Sequence, residues 1–231
     1  MSLRSRIGWG IHGLTQSYYR RKVDSRVLGH GIARGAADAV PPQFVDLYRL
    51  ARLVHDRKPA VVWEYGSGWS THFLAQALAD NGTGILYSLE TDEAWAANTR
   101  GMQPPWLQAR TDIRYVACDQ VQAGAAGACA WKYRWRPPAL PQLIYVDGPA
   151  GIGECAGNAD LIEIELELAP GTLIVLDGRK PTARFLQTAF RRRWRYWEDL
   201  GPLGGYLRHF TDKEAERGWT KPAQRYFELQ A

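Results

Sequence analysis

The sequence predicts an α/β domain: a doubly wound, mostly parallel sheet with helices on both faces. Three observations carry that expectation. Short apolar runs rich in Val, Ile and Leu recur around 60–63, 85–89, 113–117, 143–146 and 172–176, and near-continuous apolar runs suit strands covered on both faces. Helix-periodic stretches separate most of them, so the order reads mostly β-α-β-α, and that alternation builds parallel sheets. At 61–74 a strand, a glycine turn and a helix start follow one another directly, a unit that points backbone N–H groups at whatever lies over the turn.

The elements follow in order. Residues 1–40 form a basic, aromatic extension, with Arg4, Arg6, Arg20, Arg21, Lys22 and Arg26 beside Trp9, Ile11, Leu14, Tyr18 and Tyr19. It reads as a segment docked on the domain, or as a lid over a ligand cleft. Residues 41–231 form the domain proper. Phe44, Leu47, Leu50, Leu53 and Val54 predict a helix over 43–56. Strand one ends at Glu64, and Ser70 or Thr71 can cap the helix that runs to Asp80. Strand two ends at Glu90, and acids Asp92 and Glu93 suit the start of the next helix. Strand three is followed by Cys118 and Asp119, then by an Ala- and Gly-rich stretch over 123–130. If 131–136 is extended, Trp131, Tyr133 and Trp135 share one face and Lys132, Arg134 and Arg136 the other, a candidate wall for an acceptor pocket. Strand four runs into Asp147-Gly148-Pro149, and strand five into Asp177-Gly178-Arg179-Lys180. Helices are expected around 161–168 and 182–192. Candidate strands at 195–200 and 206–211 flank a Gly-rich turn at a spacing that fits a hairpin.

Composition narrows the function classes. With 231 residues, 45% hydrophobic and 23% charged, the chain is long enough for one large core. It has no apolar run of the roughly 20 residues needed to span a bilayer and no signal-peptide pattern at its start. The three cysteines, Cys118, Cys129 and Cys155, form neither a metal-like CxxC pair nor an even disulfide set, so a reduced, cytoplasmic setting is the expectation. A net charge of +5 modestly favours anionic partners, and ten Trp and eleven Tyr offer flat walls for aromatic ones. No feature specifies an oligomeric state.

The glycine turn decides between chemistries. Dinucleotide sites follow G-x-G-x-x-G/A, and here Thr71 stands at the third position. Glu64, two residues before Gly66, would repel a pyrophosphate and attract an ammonium or sulfonium group. Glu64, Glu90, Asp119, Asp147 and Asp177 each stand at or just after the C-terminal end of an expected strand, the edge where open α/β sheets bind ligands.

These residues resemble motif I and its companions in the class I S-adenosylmethionine-dependent methyltransferases. The resemblance covers 43–211, and its motifs are short apart from Glu64-Tyr65-Gly66-Ser67-Gly68 with Glu90 at the matching distance. It implies a seven-stranded sheet with an antiparallel C-terminal hairpin, and S-adenosylmethionine as cofactor. It implies a cofactor site of Glu64, Gly66, Ser67, Gly68, Ser70, Thr71, Glu90, Asp119 and Asp147, with Glu90 on the ribose hydroxyls and Asp119 near the adenine amino group. It places Asp147 beside the transferred methyl, with Asp147 and Asp177 as the catalytic acids. The family's catechol-type members hold Mg²⁺ with two such acids and an Asn. Gly178 stands where that Asn would be, so a divalent metal is allowed but not favoured. The expected activity is methyl transfer to a small-molecule acceptor, anionic or aromatic, at oxygen. Alternatives are an RNA methyltransferase, drawing on 131–136 and the Arg191–Arg195 run, and a nicotinamide-dependent oxidoreductase; a nucleic-acid partner is not favoured. His30 is the reserve candidate for a base, and His72 is expected to face solvent.

Overall fold

The computed structural model describes residues 3–33, 42–124, 127–149, 155, 157–199 and 224–231. Strands β1 (Val61–Tyr65), β2 (Ile85–Glu90), β3 (Thr111–Tyr115), β6 (Leu143–Val146), β8 (Leu173–Leu176), β9 (Trp194–Asp199) and β10 (Gln224–Leu229) make one seven-stranded sheet. Its order is β3-β2-β1-β6-β8-β10-β9. The first five are parallel, and β10 runs antiparallel to both β8 and β9. The chain reverses its winding direction at β1–β6, where β1 pairs Val62 with Leu143 and Tyr65 with Val146. Such a switch point is where open α/β sheets place their ligand crevice.

Alternation along each strand feeds two cores. Val62, Leu143, Tyr145, Leu173, Val175 and Tyr226 face one of them. There they meet helices α2 (Ser25–Ala33), α3 (Phe44–Arg57) and α4 (Trp69–Asp80). Trp63, Tyr65, Ile144, Val146, Ile174, Leu176 and Phe227 face the other, against α6 (Ala159–Ile164) and α7 (Lys180–Ala189). Each fully buried Leu, Ile or Phe contributes about 1.5–3 kcal/mol. Helix α5 (Glu93–Met102) packs on β2 and β3. Within the extension, α1 (Leu3–Arg20) lies against α3, and α2 lies against α4, where Gly31 admits the Trp69 ring.

Two features differ from the sequence-based expectation. The strand that pairs with β9 is Gln224–Leu229; the expected 206–211 lies outside the described residues. The Ala- and Gly-rich stretch belongs to a hairpin of β4 (Cys118–Ala123) and β5 (Ala128–Tyr133), joined by β7 (Gly157–Asn158) into a second, three-stranded sheet. That sheet brings Cys129 and Cys155 together as a disulfide with Cα atoms 4.8 Å apart, and Cys118 is the free cysteine. The three cysteines offer no even disulfide set, and the β5–β7 pairing brings two of them together across a separation of 26 residues while one is left over. Among the described residues no helix is long and apolar enough to cross a membrane.

His72 is also not where the sequence placed it. It is 1% exposed on α4, and neither ring nitrogen has a hydrogen-bond partner. Burial, with His30 nearby, pulls it down to about 4. The unfolded chain therefore binds this proton first, and folded stability is lost as pH falls from 6.5 toward 4. His72→Leu removes that penalty. It is expected to be about 2 kcal/mol more stable than the wild type at pH 5 and similar at pH 7, by urea denaturation. Equal differences at both pH values would show that His72 does not titrate with unfolding.

Candidate ligand site at the strand ends

The site begins where β1 stops. Glu64 is fully buried and its carboxylate serves the loop that follows it. Oε1 accepts from Ser70 Oγ at 2.6 Å; Oε2 accepts from Thr71 Oγ1 at 2.6 Å and from Ser88 Oγ at 2.5 Å. Thr71 Oγ1 in turn accepts the Gly68 N–H at 2.9 Å, so the acid fixes the glycine turn through a hydroxyl relay. Burial pushes Glu64 up to about 7; the Ser70, Ser88 and Thr71 hydroxyls pull it down, and the neighbouring Asp147 adds to the rise.

The two glycines do different work. Gly66, at φ +89, lies against the Asp147–Gly148 backbone, and a Cβ there would meet Gly148 N at 2.7 Å. Gly148 would meet Gly66 N at 2.6 Å in return, so the β1 and β6 ends touch backbone to backbone. Gly68 is buried, and an added Cβ there would come into ordinary contact with the Trp95 ring, at 4.0 Å. Trp95 Nε1 donates to Ser67 O at 2.7 Å and ties the turn to α5.

Glu90 closes β2 and is 8% exposed. It accepts the Ser67 N–H at 2.8 Å, and the Thr91 and Asp92 N–H groups at 2.7 and 3.1 Å. Asp147 follows β6 directly and is exposed. Its N–H donates to Tyr65 O at 2.9 Å, which continues the β1–β6 ladder. Asp177 follows β8, half-buried, with its N–H on Val146 O at 3.0 Å. The fold thus gathers Glu64, Glu90, Asp147 and Asp177 along one sheet edge.

Asp119 is placed differently. It lies on β4, and Arg134 grips its carboxylate with Nε at 2.9 Å and Nη2 at 2.6 Å. That bidentate contact holds the carboxyl below its usual range. The expected aromatic wall is also redistributed. Tyr133 is buried against Tyr65, with ring centroids 5.0 Å apart, and Trp135 lies under Arg114 at 4.2 Å. Both also line a small cavity with Tyr65, Arg136, Asp160 and Glu163. Lys132 pairs with Glu163 and Arg136 with Glu167, so the alternating cations of 131–136 are all engaged with acids. In the arginine run, the Arg191 and Arg192 N–H groups and Trp194 Nε1 all donate to buried Glu165.

Arg179 escaped the sequence reading. It is 3% exposed, and its Nη1 donates to Asp147 O at 2.6 Å and its Nη2 to Pro149 O at 3.0 Å. The guanidinium braces the turn that presents Asp147. Burial lowers its proton affinity and Asp147 opposes that shift. Nothing local marked it, because a single Arg after Asp177-Gly178 also fits an exposed helix start. Helix α7 begins one residue later, and Arg179 at its N-cap makes no side-chain cap bond. Among the described residues no group of three His, Cys, Asp or Glu side chains is arranged to hold a metal ion.

The fold is a Rossmann-like α/β domain whose β1–β6 switch point lies where open sheets of this kind bind ligands. Solved structures share it. One is the O-methyltransferase TomG of Streptomyces achromogenes in complex with SAM, at 14% identity over 100% of both chains and a TM-score of 0.61. Another is a methyltransferase of Geobacter sulfurreducens, at 14% identity over 97% of this chain and 98% of that one, TM-score 0.55. A third is an O-methyltransferase of Bacillus cereus in complex with SAH, at 17% identity over 94% and 97%, TM-score 0.54. No family model matches the sequence, and no curated protein matches it. The fold is that of the class I S-adenosylmethionine-dependent methyltransferases, as the motif resemblance implied.

Proposed function

We propose that the protein is an S-adenosylmethionine-dependent methyltransferase that methylates a hydroxyl of a small-molecule acceptor. The observation that carries this reading is the joined pair of acids at the β1 and β2 ends. Glu64 shapes the glycine turn from beneath, and Glu90 is bonded to the Ser67 N–H of that same turn. In this reading Gly66, Ser67, Gly68, Ser70 and Thr71 back the ligand along that turn. The residues present therefore fit the cofactor: a carboxylate for ribose hydroxyls, a glycine cradle, and a buried acid facing the side where an ammonium group would lie. Asp119 stays, in this reading, the acid near the adenine amino group, with Arg134 bonded to it.

S-adenosylmethionine supplies an electrophilic methyl group to such a site. The chain's own residues supply position and a proton acceptor. Asp147 stands at the end of a central strand, braced by Arg179 through its carbonyl, and takes the acceptor's hydroxyl proton. Asp177 sits one strand further along the edge and helps orient the acceptor. An RNA acceptor is not favoured, because Lys132, Arg134 and Arg136 are engaged with acids.

Thermal unfolding with added ligand tests the reading. S-adenosylhomocysteine at 100 times its dissociation constant is expected to stabilise the protein by about 2.7 kcal/mol, and NAD to leave it unchanged. Stabilisation by NAD alone would replace the reading with the oxidoreductase alternative.

A further inference from the structure

The acid that the proposed function assigns to the ribose is already saturated. A carboxylate offers about four acceptor positions. Glu90 Oε1 takes the Thr91 and Asp92 N–H groups at 2.7 and 3.1 Å. Oε2 takes the Ser67 N–H at 2.8 Å and the Ser67 hydroxyl at 3.1 Å. No position is left for a ligand.

The four donors are not equivalent. Three are backbone N–H groups whose places the sheet sets. Gly66, just before Ser67, bonds Leu89 O at 2.8 Å, and the Thr91 and Asp92 amides run straight on from β2. The fourth is the Ser67 hydroxyl. It turns on a single side-chain bond, and its 3.1 Å contact is longer than the usual 2.5–3.0 Å for an O–H donor. Thr99, fully buried on α5, holds that hydroxyl in place with Oγ1 at 3.0 Å from Ser67 Oγ.

We infer that the Ser67 hydroxyl is an internal competitor for the cofactor's ribose. It occupies the one exchangeable acceptor position on Glu90, so a bound ribose gains a direct bond to that acid only by turning Ser67 away. Ser67 then sets cofactor affinity downward: it substitutes for the ligand when the site is empty and keeps a buried carboxylate satisfied. The presence of Ser67 in the turn lowers affinity although the residue lines the site. This inference rests on Glu90 being the ribose acid.

A double-mutant cycle on the full chain tests it, with S-adenosylhomocysteine titrated by calorimetry. Ser67→Ala keeps the backbone N–H and deletes the competitor. It is expected to tighten binding about ten-fold, the worth of one net hydrogen bond to a charged group. In a Glu90→Ala background the same change is expected to do nothing. Should Ser67→Ala fail to fold, Thr99→Val decides instead, because it frees the hydroxyl to turn and is expected to tighten binding in the same direction. Unchanged or weaker binding in the deciding variant, with Glu90→Ala weakened, overturns the competitor role alone. Unchanged binding in Glu90→Ala removes Glu90 from the site and overturns both this inference and the ribose assignment.

Discussion

Asp147→Asn is expected to bind S-adenosylhomocysteine normally and to lose about 10²–10⁴-fold in turnover, the usual worth of a general base. The substitution preserves size and shape. Two contacts hold this turn through the Asp147 main chain: Asp147 N–H to Tyr65 O, and Asp147 O to Arg179 Nη1. Neither involves the side chain that changes, so the turn should keep its form. The cofactor groups at Glu64, Ser67 and Glu90 lie on β1, β2 and the turn between β1 and α4, and the exchange leaves them untouched. Transfer of labelled methyl groups from S-adenosylmethionine to a panel of small phenolic and carboxylate-bearing hydroxyl compounds would measure it. Turnover in Asp147→Asn equal to wild type would leave Asp147 as a positioning residue. Turnover that depends on added Mg²⁺ would shift the role to a metal held with Asp177.

Glu64→Gln is expected to gain about 3 kcal/mol of apo stability relative to the wild type between pH 4.5 and pH 7. The sign follows from the direction of the shift. Burial raises the folded Glu64 to about 7 from 4.5, so the folded state binds the proton more tightly than the unfolded chain. Wild-type stability is therefore full below pH 4.5 and is lost as pH rises toward 7. At about 1.36 kcal/mol per unit, the loss over that window is about 3 kcal/mol. Glutamine mimics the neutral acid and cannot ionise. Asp160, raised by burial to about 6, adds its own slope to both proteins and cancels in the difference. The same variant should bind S-adenosylhomocysteine more weakly, because the charge that would face an ammonium is gone, a trade of stability against function. Urea denaturation at several pH values gives the curve. A difference that stays constant with pH would mean that Glu64 is ionised in the folded state throughout.

Much of the fold was legible because the parallel strands are covered on both faces. Leu143–Val146 and Leu173–Leu176 are buried at every residue, and such runs announce themselves without any periodicity. Helix α3 was legible for the opposite reason: Leu47, Leu50 and Val54 form one buried stripe on an otherwise wetter helix. The last sheet strand was not legible. Residues 206–211 and 224–229 both carry aromatic residues beside charged ones. Strand β10 lies between β8 and β9 and supplies Tyr226 to one core and Phe227 and Leu229 to the other, a placement that no local signal in 224–229 announces. The β4–β5 hairpin was hidden by Ala and Gly, which carry little strand propensity of their own.

The sequence by itself determined the ends of the central strands and the acids that stand there, because strand ends and carboxylates are local facts; Asp119, expected just after strand three, lies instead within β4. That was enough to single out Glu64, Glu90, Asp147 and Asp177 before any contact was known. The tertiary structure decided what each acid can still do. It paired the Asp119 carboxylate with Arg134, buried Glu64 under three hydroxyls, filled Glu90 with four donors and left Asp147 exposed with its turn braced by Arg179. It also took His72 from an expected solvent face into a core that offers no hydrogen-bond partner. The physical reason is the same throughout. Burial and hydrogen bonding are set by residues distant in the chain, and a carboxylate's charge, acceptor capacity and reach depend on those neighbours rather than on its own place in the sequence.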